Sequence, residues 1–202
     1  MIAAMIPACG RSARMGAPKL LLPIGGVPLI QHVIKALRDG GVELVLVVGP
    51  PASFPAASEV HKAACAARAK LLVPAQPTPD MRASFEAGIE WLISHGHHAP
   101  EALLLSPGDS PAISANLVSA LIFAWREHDV DFVVPTHEGK RGHPLLMSWR
   151  HAQRVRDLPP NTGVNRLLVD PAARIHTIPT DDPEVVLDLD TPEDYRRWSA
   201  RK

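Results

Sequence analysis

Leu44–Val48 reads Leu-Val-Leu-Val-Val, an apolar run without polar alternation and rich in β-branched valine. A strand with one wet face alternates; a run like this suits a parallel strand covered on both faces. Ile2–Ile6 and Ala102–Leu105 are runs of the same kind, and Leu71-Leu72-Val73 is a shorter one. Helical patterns lie between them. Leu29, Ile30, Val33, Ile34 and Leu37 share one helix face, stopped by Gly40-Gly41. Ala56 to Arg68 is alanine-rich, Met81 to Ile93 is amphipathic, and Ser114 to Trp125 has Ser114 as N-cap. Strand, helix, strand in alternation implies an α/β fold of three layers around a mostly parallel sheet.

The later part of the chain reads less regularly. Asp131 to Val134 and Leu145 to Ser148 are expected strands, with a polar loop over Thr136 to Arg141. Asn161 to Val169 reads as a helix capped by Asn161. Ile175 to Ile178 and Val185 to Leu187 read as late strands. A closing helix runs from the N-cap Thr191, with Pro192 at its first position, to Trp198.

The 202 residues suit one domain over 1–202, and 46% apolar residues supply a sizeable core. The formal net charge is zero, which gives no electrostatic case for nucleic acid or an anionic membrane. No apolar run is long enough to span a bilayer, and the N-terminal run lacks a preceding positive charge, so no signal peptide is expected. Cys9 and Cys65 form no C-x-x-C unit, so neither zinc nor a disulfide framework is indicated, and a cytoplasmic setting is the default.

In an open parallel sheet, ligands lie beyond the carboxyl ends of the strands. This places loops 7–19, 49–55, 74–82 and 106–111 around one site. The first of them carries Gly10, Gly16, Arg11, Arg14 and Lys19. Glycines let backbone N–H groups approach a polyphosphate, and the cations neutralise it. Five residues separate Gly10 from Gly16, and Ala17 follows, so it is not a Walker loop. It also lacks the middle glycine of the dinucleotide fingerprint. In the fourth loop, Asp109 follows an apolar strand in a Gly-Asp-Ser-Pro turn, where a carboxylate can either shape the turn or hold Mg²⁺ beside phosphate oxygens. Asp188 and Asp190 precede the closing helix; there negative charge is either a second metal carboxylate or a partner of the helix N-terminus.

Residues 5–30 resemble the signature of the MobA-like nucleotidyltransferases, L-A-A-G-x-S-x-R-M-G-x-x-K-L-L-L-P. Gly10, Ser12, Arg14, Met15, Gly16, Lys19, Leu20, Leu21, Leu22 and Pro23 match in register. The family's G-D-x-P turn is matched by Gly108, Asp109 and Pro111, and its D-x-D-T-P-x-D segment by Asp188, Asp190, Thr191, Pro192 and Asp194. Met81-Arg82-Ala83-Ser84, Gly142-His143-Pro144 and Asn161 to Leu168 resemble stretches of the molybdenum cofactor cytidylyltransferases within it. Pro7, Cys9 and Ser110 depart from the family pattern.

The resemblance implies a Rossmann-like nucleotidyltransferase fold and a Mg²⁺-dependent enzyme. It implies that Ala8, Cys9, Gly10, Ser12, Arg14, Gly16, Lys19, Met81 and Ser84 surround the nucleotide. It implies further that Asp109 and Asp190 hold the metal, that Arg14 and Lys19 act on the triphosphate, and that Gly142, His143 and Pro144 face the acceptor. CTP as donor, a molybdopterin-type acceptor and a client molybdoenzyme follow as expectations. Two other readings stay open at this point: transfer to a sugar or polyol phosphate, and a non-catalytic protein that binds and delivers the cofactor.

Overall fold

The computed structural model describes residues 1–10, 12, 15–95, 98–111, 113–159, 161–187, 189 and 191–199. Ten strands and six α-helices are laid out along them. β1 (Ile2–Pro7), β4 (Leu44–Val48), β5 (Lys70–Leu72) and β6 (Ala102–Leu105) form the parallel half of an eight-stranded sheet. β7 (Phe132–His137), β9 (Leu145–Ser148) and β10 (Ile175–Pro179) extend it in the order β10-β7-β9-β6-β1-β4-β5, and β8 (Lys140–Arg141) pairs with β7. β2 (Pro23–Ile24) and β3 (Val27–Pro28) make a separate small hairpin.

The sheet is parallel except around β9, which runs antiparallel to β6 and to β7, and at the short β8. Both faces are covered. Along β1, Ile2, Ala4 and Ile6 pack with α1 (Leu29–Asp39), α2 (Ala57–Ala66), α4 (Ala115–Glu127) and α6 (Pro192–Ser199). Ala3 and Met5 pack on the other side with α3 (Met81–His95) and α5 (Trp149–Gln153). The apolar runs thus have the expected cause: alternate residues serve two different cores.

Local chemistry explains the boundaries. α1 ends in a Schellman motif, with Val42 N donating to Leu37 O, Gly41 N donating to Arg38 O, and Gly41 at φ +104°. Ser114 accepts a hydrogen bond from Leu117 N and caps α4. α6 starts in a capping box: Asp194 N donates to Thr191 Oγ1, and Thr191 N donates to Asp194 Oδ2 at 2.8 Å.

Three expectations need correction, and one helix went unread. The polar loop over 136–141 is a hairpin, with β7 running on to His137 and pairing with β8 around Glu138 and Gly139, both at positive φ. The helix from Asn161 is a 3-10 turn over Val164–Val169; Asn161 sits at φ +61° and Gly163 precedes the turn, without a side-chain cap. The strand over Val185–Leu187 is a 3-10 turn over Pro183–Val186, because Asp182 accepts from Glu184 N and Pro183 opens the turn. α5 was not anticipated.

The chain enters at β1, moves outward to β4 and β5, then returns to β6 on the other side of β1. That reversal opens a crevice at the carboxyl ends of β1 and β6. The reversed β9 brings its leading residues, 142–144, to the same edge.

A separate polar cluster sits at the opposite edge, before β7. Burial pushes the Asp131 carboxyl up, but hydrogen bonds from Arg174 outweigh it and hold it below the ordinary carboxylate value. Burial lowers His151, which faces Asp131.

Candidate active site

The loop after β1 is built from short backbone and side-chain links. Ala8 N donates to Val48 O at 2.8 Å, which anchors the loop to β4. The Cys9 thiol, buried beside it, donates to Val48 O and Gly49 O at 3.3 and 3.1 Å. Ser12 Oγ accepts from Lys19 N at 3.2 Å, and Ser12 O accepts from Met15 N, so Ser12 closes the loop on itself. Gly16 has φ +64°, which a side chain would strain. Met15 and Leu20 are buried and hold the loop down.

Leu20 sets the spacing to the next loop. A Cβ on Gly108 would lie 2.9 Å from Leu20 Cδ2 and 3.1 Å from Ile6 Cγ2, so Gly108 is what lets the turn after β6 come this close. The next residue, Asp109, forms an ion pair through Oδ2 with Lys19 Nζ, both side chains largely buried. The pair lies in a cavity of about 400 Å³, also lined by Ala8, Cys9, Gly10 and Ser12. Phe54, Pro77, Thr78, Asp80, Met81 and Ser84 complete its wall. All four loops expected at the sheet's carboxyl edge therefore contribute to one cavity. An adjoining hollow of about 560 Å³ shares Ala8, Gly10, Ser12, Leu20, Phe54 and Pro77 and adds Gly16.

The far wall is the start of α3. Asp80 Oδ1 accepts from Ala83 N at 2.8 Å and caps the helix. Ser84 is buried, and its hydroxyl bonds Thr78 Oγ1 and Asp80 O, so it fixes the 78–80 loop. Thr78 and Asp80 were not singled out from sequence, since only their fold position makes them wall residues.

Asp80 and Met81 also line a second cavity, of about 750 Å³. Arg82, Arg141, Gly142, His143 and residues 161–165 are among its other lining residues. Gly142 N donates to Pro135 O and His143 N to Val185 O, both at 2.8 Å. The first ties the segment to β7, and the second holds it against the 183–186 turn. The peptide between His143 and Pro144 is cis. That turn is tied in its turn to α6, where buried Trp198 Nε1 donates to Glu184 Oε2 at 2.7 Å. Pro144, buried behind the cavity, is not among its lining residues.

Of the residues expected at the site, Arg14, Asp188 and Asp190 lie outside the described residues. Asp194, from the same motif as Asp190, serves the helix cap. Among the described residues no group of three His, Cys, Asp or Glu side chains clusters as a metal cage. Asp109 nonetheless fits a hard divalent ion that shares its coordination with phosphate oxygens and water, since such an ion needs only one or two carboxylates. A carboxylate and an ammonium facing each other in a polar cleft, one able to hold a cation and the other an anion, suit a metal–polyphosphate ligand.

A molybdenum cofactor cytidylyltransferase of Escherichia coli (strain K12) is 24% identical over 193 residues, 95% of this chain and 92% of that protein. A molybdenum cofactor guanylyltransferase of Serratia proteamaculans (strain 568) is 28% identical over 208 residues, 100% of this chain and 95% of that protein. Among solved structures, Rv0371c from Mycobacterium tuberculosis H37Rv superimposes with a TM-score of 0.81 at 24% identity, covering 98% of each chain. Its manganese complex gives a TM-score of 0.77 at 22% identity, covering 100% of this chain and 99% of that one. The model of the MobA-like NTP transferase domain matches residues 4–175, spanning both cavities up to β10, and the chain thus belongs to this family of nucleotidyltransferases.

Proposed function

We propose that this enzyme transfers CMP from CTP to a molybdopterin-type acceptor, with release of pyrophosphate. The observation that carries the reading is the pair of cavities meeting at the start of α3. One holds Lys19 and Asp109 at the switch point of the sheet, and the other is entered past Gly142 and His143. A two-substrate transfer needs two such pockets with a common wall.

In this reading the base and ribose lie among Ala8, Cys9, Gly10, Met81 and Ser84, and the triphosphate runs toward Ser12, Gly16 and Lys19, with Arg14 assigned to it by family resemblance. An oxygen of the acceptor's terminal phosphate attacks the α-phosphorus. The bond from that phosphorus to the bridging oxygen of the β-phosphate breaks, and the electron pair leaves with pyrophosphate. Asp109, with Asp190 assigned by family resemblance, would hold a divalent ion, taken to be Mg²⁺, which would supply charge neutralisation when bound. Lys19 exchanges Asp109 for the phosphates and stabilises the negative charge that grows on the leaving group. Gly142 and His143 orient the acceptor; no covalent nucleophile is required, so positioning and charge do the catalysis.

The direct test offers each of the four nucleoside triphosphates with Mg²⁺ and a panel of acceptors, including molybdenum cofactor released from a purified molybdoenzyme, and measures pyrophosphate. Release with CTP and that cofactor is expected. Release with a sugar or polyol phosphate alone would reassign the acceptor.

Lys19→Ala is expected to lower kcat together with kcat/KM, because its charge is used more in the transition state than in the ground state. A variant with raised KM and unchanged kcat would make Lys19 a site of simple substrate attraction.

Cys9 bears on the base. Cys9 lines the 400 Å³ cavity, and its thiol is held against the carbonyls of Val48 and Gly49. It narrows the space that a glycine would leave for a two-ring base. CTP is therefore expected to be preferred over GTP, and Cys9→Gly to relax the preference. A steric filter of this sort supplies about 1–3 kcal/mol, roughly ten- to two-hundredfold. Measured kcat/KM for both nucleotides, in wild type and variant, decides it; an unchanged ratio would remove Cys9 from selectivity.

A further inference from the structure

Arg82 follows the wall shared by the two cavities, in the first turn of α3, and itself lines the 750 Å³ cavity. Its guanidinium is mostly buried and almost fully committed. Nε donates to Glu86 Oε1 at 2.7 Å, one turn along the helix. Nη2 donates to Leu158 O at 2.8 Å, and Nη1 to Pro159 O at 2.5 Å and Thr162 O at 3.4 Å. Three main-chain carbonyls from one short stretch thus converge on a single side chain.

That stretch follows the 3-10 turn Arg154–Asp157 and precedes the 3-10 turn Val164–Val169. Its described residues, 158, 159 and 161–163, lie in no strand or helix. Yet Asn161, Thr162 and Gly163 form a wall of the 750 Å³ cavity. At the far end of the same wall, Arg141 Nη1 donates to Leu168 O at 3.4 Å. Only a planar fork with donors on both edges can meet three diverging carbonyls and a carboxylate at once; an ammonium is a point charge.

We propose that Arg82 is the positioning residue of the acceptor pocket: its bonds to the carbonyls of Leu158, Pro159 and Thr162 hold the 161–163 wall onto α3, and so set the pocket's affinity through the shape of that wall. With four of its five N–H groups donating to protein atoms, it has little capacity left for an anionic ligand. The nucleotide side should be indifferent to it, because Asp80 caps α3 independently through Ala83 N. The identity of the ligand in this pocket rests on the transfer reading above; the bracing does not.

The experiment uses Arg82→Met, which keeps the stem and removes the donors, and Arg82→Lys, which keeps the charge. Amide hydrogen exchange is followed in the ligand-free proteins, Mg·CTP binding by calorimetry, and turnover with molybdenum cofactor released from a purified molybdoenzyme. In Arg82→Met, exchange over 158–165 should speed up about tenfold or more while residues 2–10 and 102–109 keep their protection. KM for the cofactor should rise about tenfold or more, with CTP affinity within about twofold and kcat within about threefold of wild type. Arg82→Lys should restore neither the exchange protection nor KM. Recovery of KM by Arg82→Lys would show attraction by charge and overturn the proposal. Equal losses for CTP and cofactor, or unchanged exchange over 158–165, would overturn it as well. A wild type that transfers nothing to the cofactor sinks the transfer reading instead, and the exchange measurement then decides the brace alone.

Discussion

Asp109→Ala is expected to lower Mg²⁺-dependent turnover about a hundredfold or more, in a protein that still unfolds cooperatively. The carboxylate lies in the turn that follows β6 at the crevice and faces Lys19 there. Charge stabilisation through a carboxylate-held ion contributes several kcal/mol to reactions of this kind. At about 1.4 kcal/mol for each factor of ten, the loss of two or more factors follows. A rival account makes Asp109 only the residue that shapes the Gly-Asp-Ser-Pro turn. Asp109→Asn separates the two, because asparagine forms such turns as readily as aspartate but carries no charge. Turnover near that of wild type in Asp109→Asn would leave Asp109 a turn residue and nothing more.

Gly142→Ala is expected to cost about 1–3 kcal/mol of stability, in the range of overpacked sites. The new Cβ would lie 2.3 Å from Val185 O and 2.8 Å from Val185 C. These are backbone atoms, so no rotamer change relieves the contact. The 142–143 segment would have to lift off the 183–186 turn, breaking the bond from His143 N to Val185 O. In a chain of this size each kcal/mol lowers the melting temperature by about 2–4 °C. Thermal unfolding checks the stability, and KM for the acceptor should rise with it because His143 moves. A melt indistinguishable from wild type would mean that the two segments separate at no cost.

Much of the parallel half was legible because its signal is dense. Leu44–Val48 and Ala102–Leu105 have the ends read from their apolar runs, and α1 follows its hydrophobic face to Gly40. The direction of β9 was not legible: a run buried on both faces looks the same in either orientation. Val185 to Leu187 is apolar enough for a strand, yet Asp182 and Pro183 supply a local turn that wins over three residues of propensity. Asn161 failed as a helix cap for a backbone reason, its positive φ. At the site, the loops were legible from the switch-point rule, and Lys19 and Asp109 do meet. Thr78, Asp80 and Phe54 were not, because proximity in the folded crevice is what qualifies them. Arg82 was hidden for a different reason. Its partners are carbonyls 76 to 80 positions away, and a carbonyl leaves no mark on the sequence.

The reversal at β9 also bears on how such a molecule can diversify. The 400 Å³ cavity draws on loops after β1, β4, β5 and β6, whereas the 750 Å³ cavity draws chiefly on residues 134–145 and 161–169. Their linings have only Asp80 and Met81 in common. Substitutions, insertions and deletions in the later segments can therefore remodel one chamber while the other keeps its lining. The antiparallel strand acts as a seam between a half that can stay constant and a half that can drift, so a library confined to the later segments would reshape the 750 Å³ chamber without disturbing the residues around the Lys19–Asp109 pair.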